Sequence, residues 1–251
     1  MRFGSLFSGI GGLDLGLERA GMTCEWQVEI DDYCRKVLEK HWPHVARFKD
    51  IRECSGVVPN SESKQDRRIQ QPRISADIGA SGTRRGTYNL SQVDLICGGF
   101  PCQPVSVAGR RKGQEDSRWL WPEFARIVSE VQPRWVLVEN VPGLLSRGMG
   151  DVLRDLSALG YDAEWDSIPA AAVGAPHLRY RVFVVAYATG TAHERLDGAR
   201  AISPSDWWET EPDMGRVADG VPSRVDRLRG LGNAVVPQVA EWVGRRIVEA
   251  A

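Results

Sequence analysis

The sequence predicts an α/β fold in which a mainly parallel sheet is covered by helices on both faces. Three observations carry that expectation. Short apolar runs alternate with helical patterns through most of the chain. A glycine cluster joins the first apolar run to the first helical pattern. The later run at Trp135–Val138 is apolar throughout and that at Val93–Cys97 is broken only by Asp94, as suits strands buried on both faces.

Taken in order, Phe3 to Phe7 is a short strand that meets Gly9 to Gly12. A helical pattern follows through Leu13, Leu15, Leu17 and Ala20, and Gly21 stops it. Cys24 to Ile30 is the second strand, ending in the acidic Glu29-Ile30-Asp31-Asp32. Tyr33 to His41 is a second helix, ahead of Trp42-Pro43. Residues 55–90 change character. Ser, Gly, Gln and Arg dominate there, which marks an irregular, partly disordered insert. Its Arg67-Arg68, Arg73 and Arg84-Arg85 either touch phosphate or form a solvated surface. Strands return at Val93–Cys97, Trp135–Val138 and Arg181–Ala186, with helices at Trp121–Val131 and Val152–Leu159 between them. From Thr189 to Asp226 the pattern fades into polar sequence, and Val236 to Ala250 forms the last helix. No internal repeat interrupts this order.

Composition narrows the classes. A hydrophobic share of 42% and a charged share of 26% suit a soluble globular domain of this length. The net charge of −1 means that any nucleic-acid surface is a local basic patch. Five cysteines with no C-x-x-C pair argue against a secreted disulfide framework and a common zinc motif, so no metal is expected. The N-terminus has no signal-peptide pattern and no apolar run is long enough to span a bilayer, which points to the cytoplasm.

Phe7-Ser8-Gly9-Ile10-Gly11-Gly12 lets the backbone turn tightly and approach a ligand. Glu29, with Ile30 beside it, ends the next strand where an acid binds ribose hydroxyls. Asp50-Ile51 follows a possible strand and is placed to reach an adenine. This set fits NAD, FAD or S-adenosylmethionine, although the spacing is not G-x-G-x-x-G.

Cys97-Gly98-Gly99-Phe100-Pro101-Cys102-Gln103 is the most telling stretch. Cys97 lies inside the apolar strand and reads as packing. Cys102 sits on the turn beyond it, where open α/β sheets bind ligands, and reads as reactive. The basic stretch from Val105 to Trp121 either closes over a polyanion or is a charged surface loop. Glu139 ends a buried strand on the same sheet edge. It hydrogen-bonds a ring nitrogen or acts as a cap, and Asn140 holds the turn. Arg179 and Arg181 alternate, so they share one face of an extended segment, as oxygen-binding groups or as an edge-strand charge pair.

Together these segments resemble the cytosine-C5 DNA methyltransferase family in its small bacterial and phage form. The motifs that carry the resemblance are Phe7 to Gly12, Glu29, Asp50-Ile51, Gly99-Phe100-Pro101-Cys102-Gln103, Glu139-Asn140-Val141, Arg179-x-Arg181 and Gly232-Asn233-Ala234-Val235-Val236-Pro237. They cover residues 1–54, 91–187 and about 227–250. The resemblance implies a Rossmann-like S-adenosylmethionine-dependent methyltransferase fold, with a mixed, mostly parallel sheet and a reduced target-recognition region. It implies a catalytic and cofactor-binding domain over 1–188, a recognition segment over 189–226 and a C-terminal helix over 227–251 that returns to the catalytic domain.

The same resemblance assigns roles. S-adenosylmethionine is the donor, held by Phe7, Gly9, Ile10, Gly12, Glu29, Ile30, Asp50, Ile51, Gly99, Pro101, Asn233, Ala234 and Val235. Cys102, Glu139, Arg179 and Arg181 are the catalytic set. Cys102 attacks C6 of a cytosine flipped out of duplex DNA, Glu139 bonds N3 and the exocyclic amine, and Arg181 holds O2. A monomer is expected, in a restriction-modification setting. His177 stands where the family commonly has glutamine and reads as a supporting donor. The segment 189–226, with Trp207-Trp208, is short for target recognition, so a recognition site of about two to four base pairs is expected. A transfer RNA methyltransferase of the same family is the alternative. A catalytically dead DNA-binding module, an enzyme of free cytidylate and a nicotinamide dehydrogenase each leave part of this residue set without a role.

Overall fold

A computed structural model describes residues 1–56, 88–101, 119–190 and 224–251. Seven strands form one sheet, β1 (Arg2–Leu6), β2 (Thr23–Val28), β3 (Ala46–Phe48), β6 (Leu95–Gly98), β7 (Trp135–Asn140), β8 (Tyr161–Ile168) and β9 (Arg181–Ala188). Their order is β3-β2-β1-β6-β7-β9-β8. The pairs from β3 through β7 are parallel, and β9 runs antiparallel to both of its neighbours. The sheet is therefore mixed and mostly parallel.

Side-chain alternation along the central strands builds a core on each face. Ile96, Val136, Val138, Val182 and Val184 point to one side. There they meet α3 (Trp121–Val131), α4 (Leu144–Arg147) and α5 (Met149–Ala158). On α3 the buried Trp121, Phe124, Ile127, Val128 and Val131 form one helical stripe. Leu95, Cys97, Trp135, Leu137, Phe183 and Val185 point to the other side. They meet α1 (Gly12–Arg19) and α7 (Pro237–Ala250). Leu13 and Leu17 of α1 share that core with Val239, Ala240, Val243 and Ile247 of α7. The last helix thus packs on α1, in the core that also holds Phe3 of β1.

Some elements differ from the sequence reading. The expected insert is narrower than 55–90, because β4 (Cys54–Ser55) pairs in parallel with β5 (Tyr88–Asn89). Leu90 is buried behind that pair. Residues 57–87 lie outside the described residues, as does most of the expected recognition segment. The strand β8 was not expected; it is the sheet's last strand and carries Asp162, Glu164 and Asp166 at alternate positions. The C-terminal part contains two helices, α6 (Arg224–Asn233) and α7, with Pro237 opening the second. Among the described residues, no helix is long and apolar enough to cross a membrane.

Candidate active site

The chain leaves β3 at one edge and re-enters the sheet at β6, beside β1. The strand order reverses there, and open α/β sheets bind ligands outside the carboxyl ends of strands at such a point. A cavity of about 410 Å³ lies at that point.

One wall is the turn after β1. Phe7 takes a φ of 54°, in the left-handed region, which turns the chain out of the strand. Ser8 N–H donates to the Val28 carbonyl at 3.1 Å and fastens the turn to β2. Glu29 follows β2. One carboxylate oxygen accepts Gly9 N–H at 2.7 Å, and the other accepts Asp31 N–H at 2.8 Å. Burial pushes the Glu29 carboxyl up, and these two amides oppose that shift. Asp31 caps α2 (Asp32–His41) by accepting Tyr33 and Cys34 N–H, both at 3.0 Å. Ile30, between the two acids, lines the cavity with 55% of its surface exposed.

A second wall comes from the C-terminus. Asn233, Ala234 and Val235 join α6 to α7 and line the cavity. A Cβ at Gly12 would overlap the Val235 carbonyl oxygen, so only glycine permits this approach.

The far end is polar and buried. Glu139, 7% exposed at the end of β7, meets Arg181 Nε at 3.0 Å. Burial raises the Glu139 carboxyl from 4.5 to about 7, against the pull of Arg181 and Arg179. The turn Gly99-Phe100-Pro101 crosses above it, and a Cβ at Gly99 would lie 2.6 Å from the Glu139 carboxylate. Asn140 Nδ2 donates to the Phe100 carbonyl at 3.2 Å, and its Oδ1 accepts Val141 N–H at 2.9 Å, so it holds the turn as expected. Phe100 packs edge-on against Trp119, with ring centres 5.1 Å apart. Cys97 is buried in the sheet, and burial pushes its thiol well up, as suits a packing residue. Cys102 and the basic stretch to residue 118 lie outside the described residues; Pro101, the neighbour of Cys102, lines the cavity.

Most of the expected site residues meet in this one space. Phe7, Gly9, Ile10, Gly12, Glu29, Ile30, Gly99, Pro101, Glu139, Arg181, Asn233, Ala234 and Val235 all line it. Three do not. Asp50 accepts Arg52 N–H at 3.0 Å and pairs with its guanidinium at 2.6 Å, which holds the carboxyl below its usual range. Ile51 is buried in the core, and Arg52 lines the cavity instead. Arg179 does not continue an extended face with Arg181. Its φ of 32° turns the backbone before β9, and its guanidinium donates to the carbonyls of Gly232 at 2.8 Å and Ala234 at 2.6 Å.

The sequence reading also passes over Leu120 and Gly230, which line the cavity without any motif to mark them. It passes over Asp14 as well. This fully buried acid accepts Gln27 Nε2 at 2.7 Å and Ser5 Oγ at 3.0 Å, tying α1 to β1 and β2 behind the glycine turn. Burial raises its carboxyl to about 6, with those hydrogen bonds opposing. The signal was an acid between Leu13 and Leu17 on an otherwise apolar helix face.

The family profile described as C-5 cytosine-specific DNA methylase matches residues 1–224. The chain is 32% identical over 241 residues to the type II methyltransferase M2.BsuMI of Bacillus subtilis (strain 168), a match covering 92% of this chain and 50% of that protein. It is 30% identical over 198 residues to M.AquIA of Picosynechococcus sp., covering 72% of this chain and 69% of that protein. M.AquIA aside, the chain spans about half the length, or less, of the curated relatives it matches. A crystal structure described as a DNA modification methyltransferase encoded within an E. coli prophage superposes with a TM-score of 0.54 at 26% identity, covering 77% of this chain and 48% of that one.

Proposed function

Because the chain belongs to the C-5 cytosine-specific DNA methylase family, we propose that it methylates C5 of cytosine in duplex DNA. The observation that supports this most is one cavity with two ends. A glycine turn with a fastened carboxylate lies at one end, and the buried Glu139–Arg181 pair beside Pro101 lies at the other.

The first end suits S-adenosylmethionine, the donor the family uses. The Gly12 approach to Val235 leaves a backbone-walled cradle, Ile30 offers an apolar surface for a purine, and Glu29 faces the same space for ribose hydroxyls. When bound, that cofactor supplies an electrophilic methyl group. Phe7, Gly9, Ile10, Gly12, Glu29, Ile30, Gly99, Pro101 and the segment 233–235 are the residues proposed to hold it. Asp50 and Ile51 support it from behind, through the turn that presents Arg52.

At the other end, the Cys102 thiolate adds to C6 of the cytosine, forming an S–C6 bond and moving the ring electrons towards C5. Glu139 protonates N3 as that bond forms; a carboxyl lifted to about 7 carries the needed proton near neutral pH. Arg181 holds Glu139 and bonds O2 where charge develops. After methylation, the C5 proton is lost to solvent, N3 returns its proton to Glu139, and the C5–C6 double bond reforms as the thiolate leaves. The target base must leave the duplex to reach this buried end, at about a few kcal/mol of lost stacking and pairing. In this reading the catalytic body spans 1–188 and is closed by the C-terminal helices, the segment 189–226 is a short recognition segment, and the enzyme acts as a monomer.

The experiment is methyl transfer from labelled S-adenosylmethionine to duplex DNA and to transfer RNA in parallel, followed by base-resolution mapping. Label at C5 of cytosine within a short DNA sequence is expected. Transfer to RNA alone contradicts the DNA assignment, and a long strict consensus contradicts the short recognition site.

A further inference from the structure

Arg179 lies in the chain between a 3-10 turn (Ala170–Val173) and β9, in a backbone conformation that side-chain-bearing residues adopt at a cost. Its guanidinium donates its hydrogen bonds to the C-terminal segment. It bonds the carbonyls of Gly232 and Ala234, at the end of α6 and in the link to α7. Helix-terminal carbonyls lack partners within their own helix, and one guanidinium nitrogen, Nη2, donates to both of these. The next carbonyl, that of Val235, rests on Gly12. The segment 232–235 is therefore held from two sides, by Arg179 and by the glycine turn. Arg179 also bears electrostatically on Glu139, whose carboxyl it helps to draw down.

The geometry points to Arg179 as a positioning residue that clamps the 232–235 segment into place as the C-terminal wall of the cofactor cavity. It acts on the cofactor through that wall, not by contact with the base. The inference rests on the proposed methyltransferase reading and replaces the catalytic role that the sequence suggests for this arginine.

The test compares full-length wild type with Arg179→Ala and Arg179→Lys. Affinity for S-adenosylhomocysteine is measured by calorimetry without nucleic acid, and cofactor KM and kcat are measured on duplex DNA. Losing two charge-assisted bonds should weaken S-adenosylhomocysteine binding about tenfold or more in Arg179→Ala. Arg179→Lys, which keeps the charge on a shorter side chain, should fall between the two. The cofactor KM should rise by a larger factor than kcat falls, and amide exchange over residues 230–236 should quicken while that of β7 does not. Binding within about twofold of wild type in both variants, or a loss confined to kcat, overturns the clamp. If Arg179→Ala does not fold, Arg179→Lys decides by the same measurements. A wild type that binds S-adenosylhomocysteine but methylates no DNA overturns the DNA reading, while the binding series still decides the clamp. A wild type that binds no S-adenosylhomocysteine overturns both.

Discussion

Glu139→Gln separates chemistry from stability. The glutamine keeps the shape and an oxygen for Arg181, but it has no proton to give to N3. General acid catalysis is worth about 10²–10⁴-fold, or roughly 3–5 kcal/mol of barrier, so kcat should fall by that range. Stability should respond to pH in the opposite sense. Folding lifts this carboxyl from 4.5 to about 7, a difference of roughly 3 kcal/mol. The folded state holds the proton more tightly, so the contribution is fully present below 4.5 and is lost as pH rises to about 7. The wild type therefore loses roughly that amount across the window and the variant does not. Urea unfolding of both proteins at pH 5 and pH 8, beside a labelled methyl-transfer assay, reads the two effects. The stability of Glu139→Gln relative to wild type should rise by a few kcal/mol towards pH 8, while its turnover stays low. Parallel pH curves, or turnover within about threefold of wild type, would refute the buried-acid argument.

Three further outcomes follow from the same geometry. Cys102→Ser should abolish measurable turnover and leave S-adenosylhomocysteine affinity within about twofold, as read by calorimetry. Gly12→Ala should push the Val235 carbonyl away, raising the cofactor KM about tenfold and costing about 1–3 kcal/mol in urea unfolding. Asp14→Ala should destabilise by about 3–5 kcal/mol, because it leaves Gln27 and Ser5 buried with unmet donors; a loss under about 1 kcal/mol contradicts that.

The parts of the fold carried by local patterns were legible in the sequence. The apolar stripe of Trp121–Val131 marks its helix from end to end, and the all-apolar Trp135–Val138 marks a central strand. The strand β8 was obscured because acids occupy alternate positions of the strand that ends the sheet among the described residues. Charge there discourages pairing with another chain, at the expense of a readable apolar period. Helix α6 was obscured by its own glycines and arginines, which leave little amphipathic contrast. At the site, motif residues were found where they touch the cavity through backbone or strand ends, as with Gly12, Glu29 and Glu139. Asp50 and Arg179 went elsewhere because each found a nearer partner, Arg52 in one case and two helix-end carbonyls in the other. Spacing along a chain does not reveal such competition.

The most direct measurement uses duplex DNA carrying 5-fluorocytosine at the mapped target, incubated with the protein and S-adenosylmethionine. Fluorine cannot depart as a proton does, so the enzyme should stall as a denaturation-resistant adduct. Peptide mapping should place the bond on the Cys102 sulfur. Failure to trap any adduct, or a bond to another residue, contradicts the account.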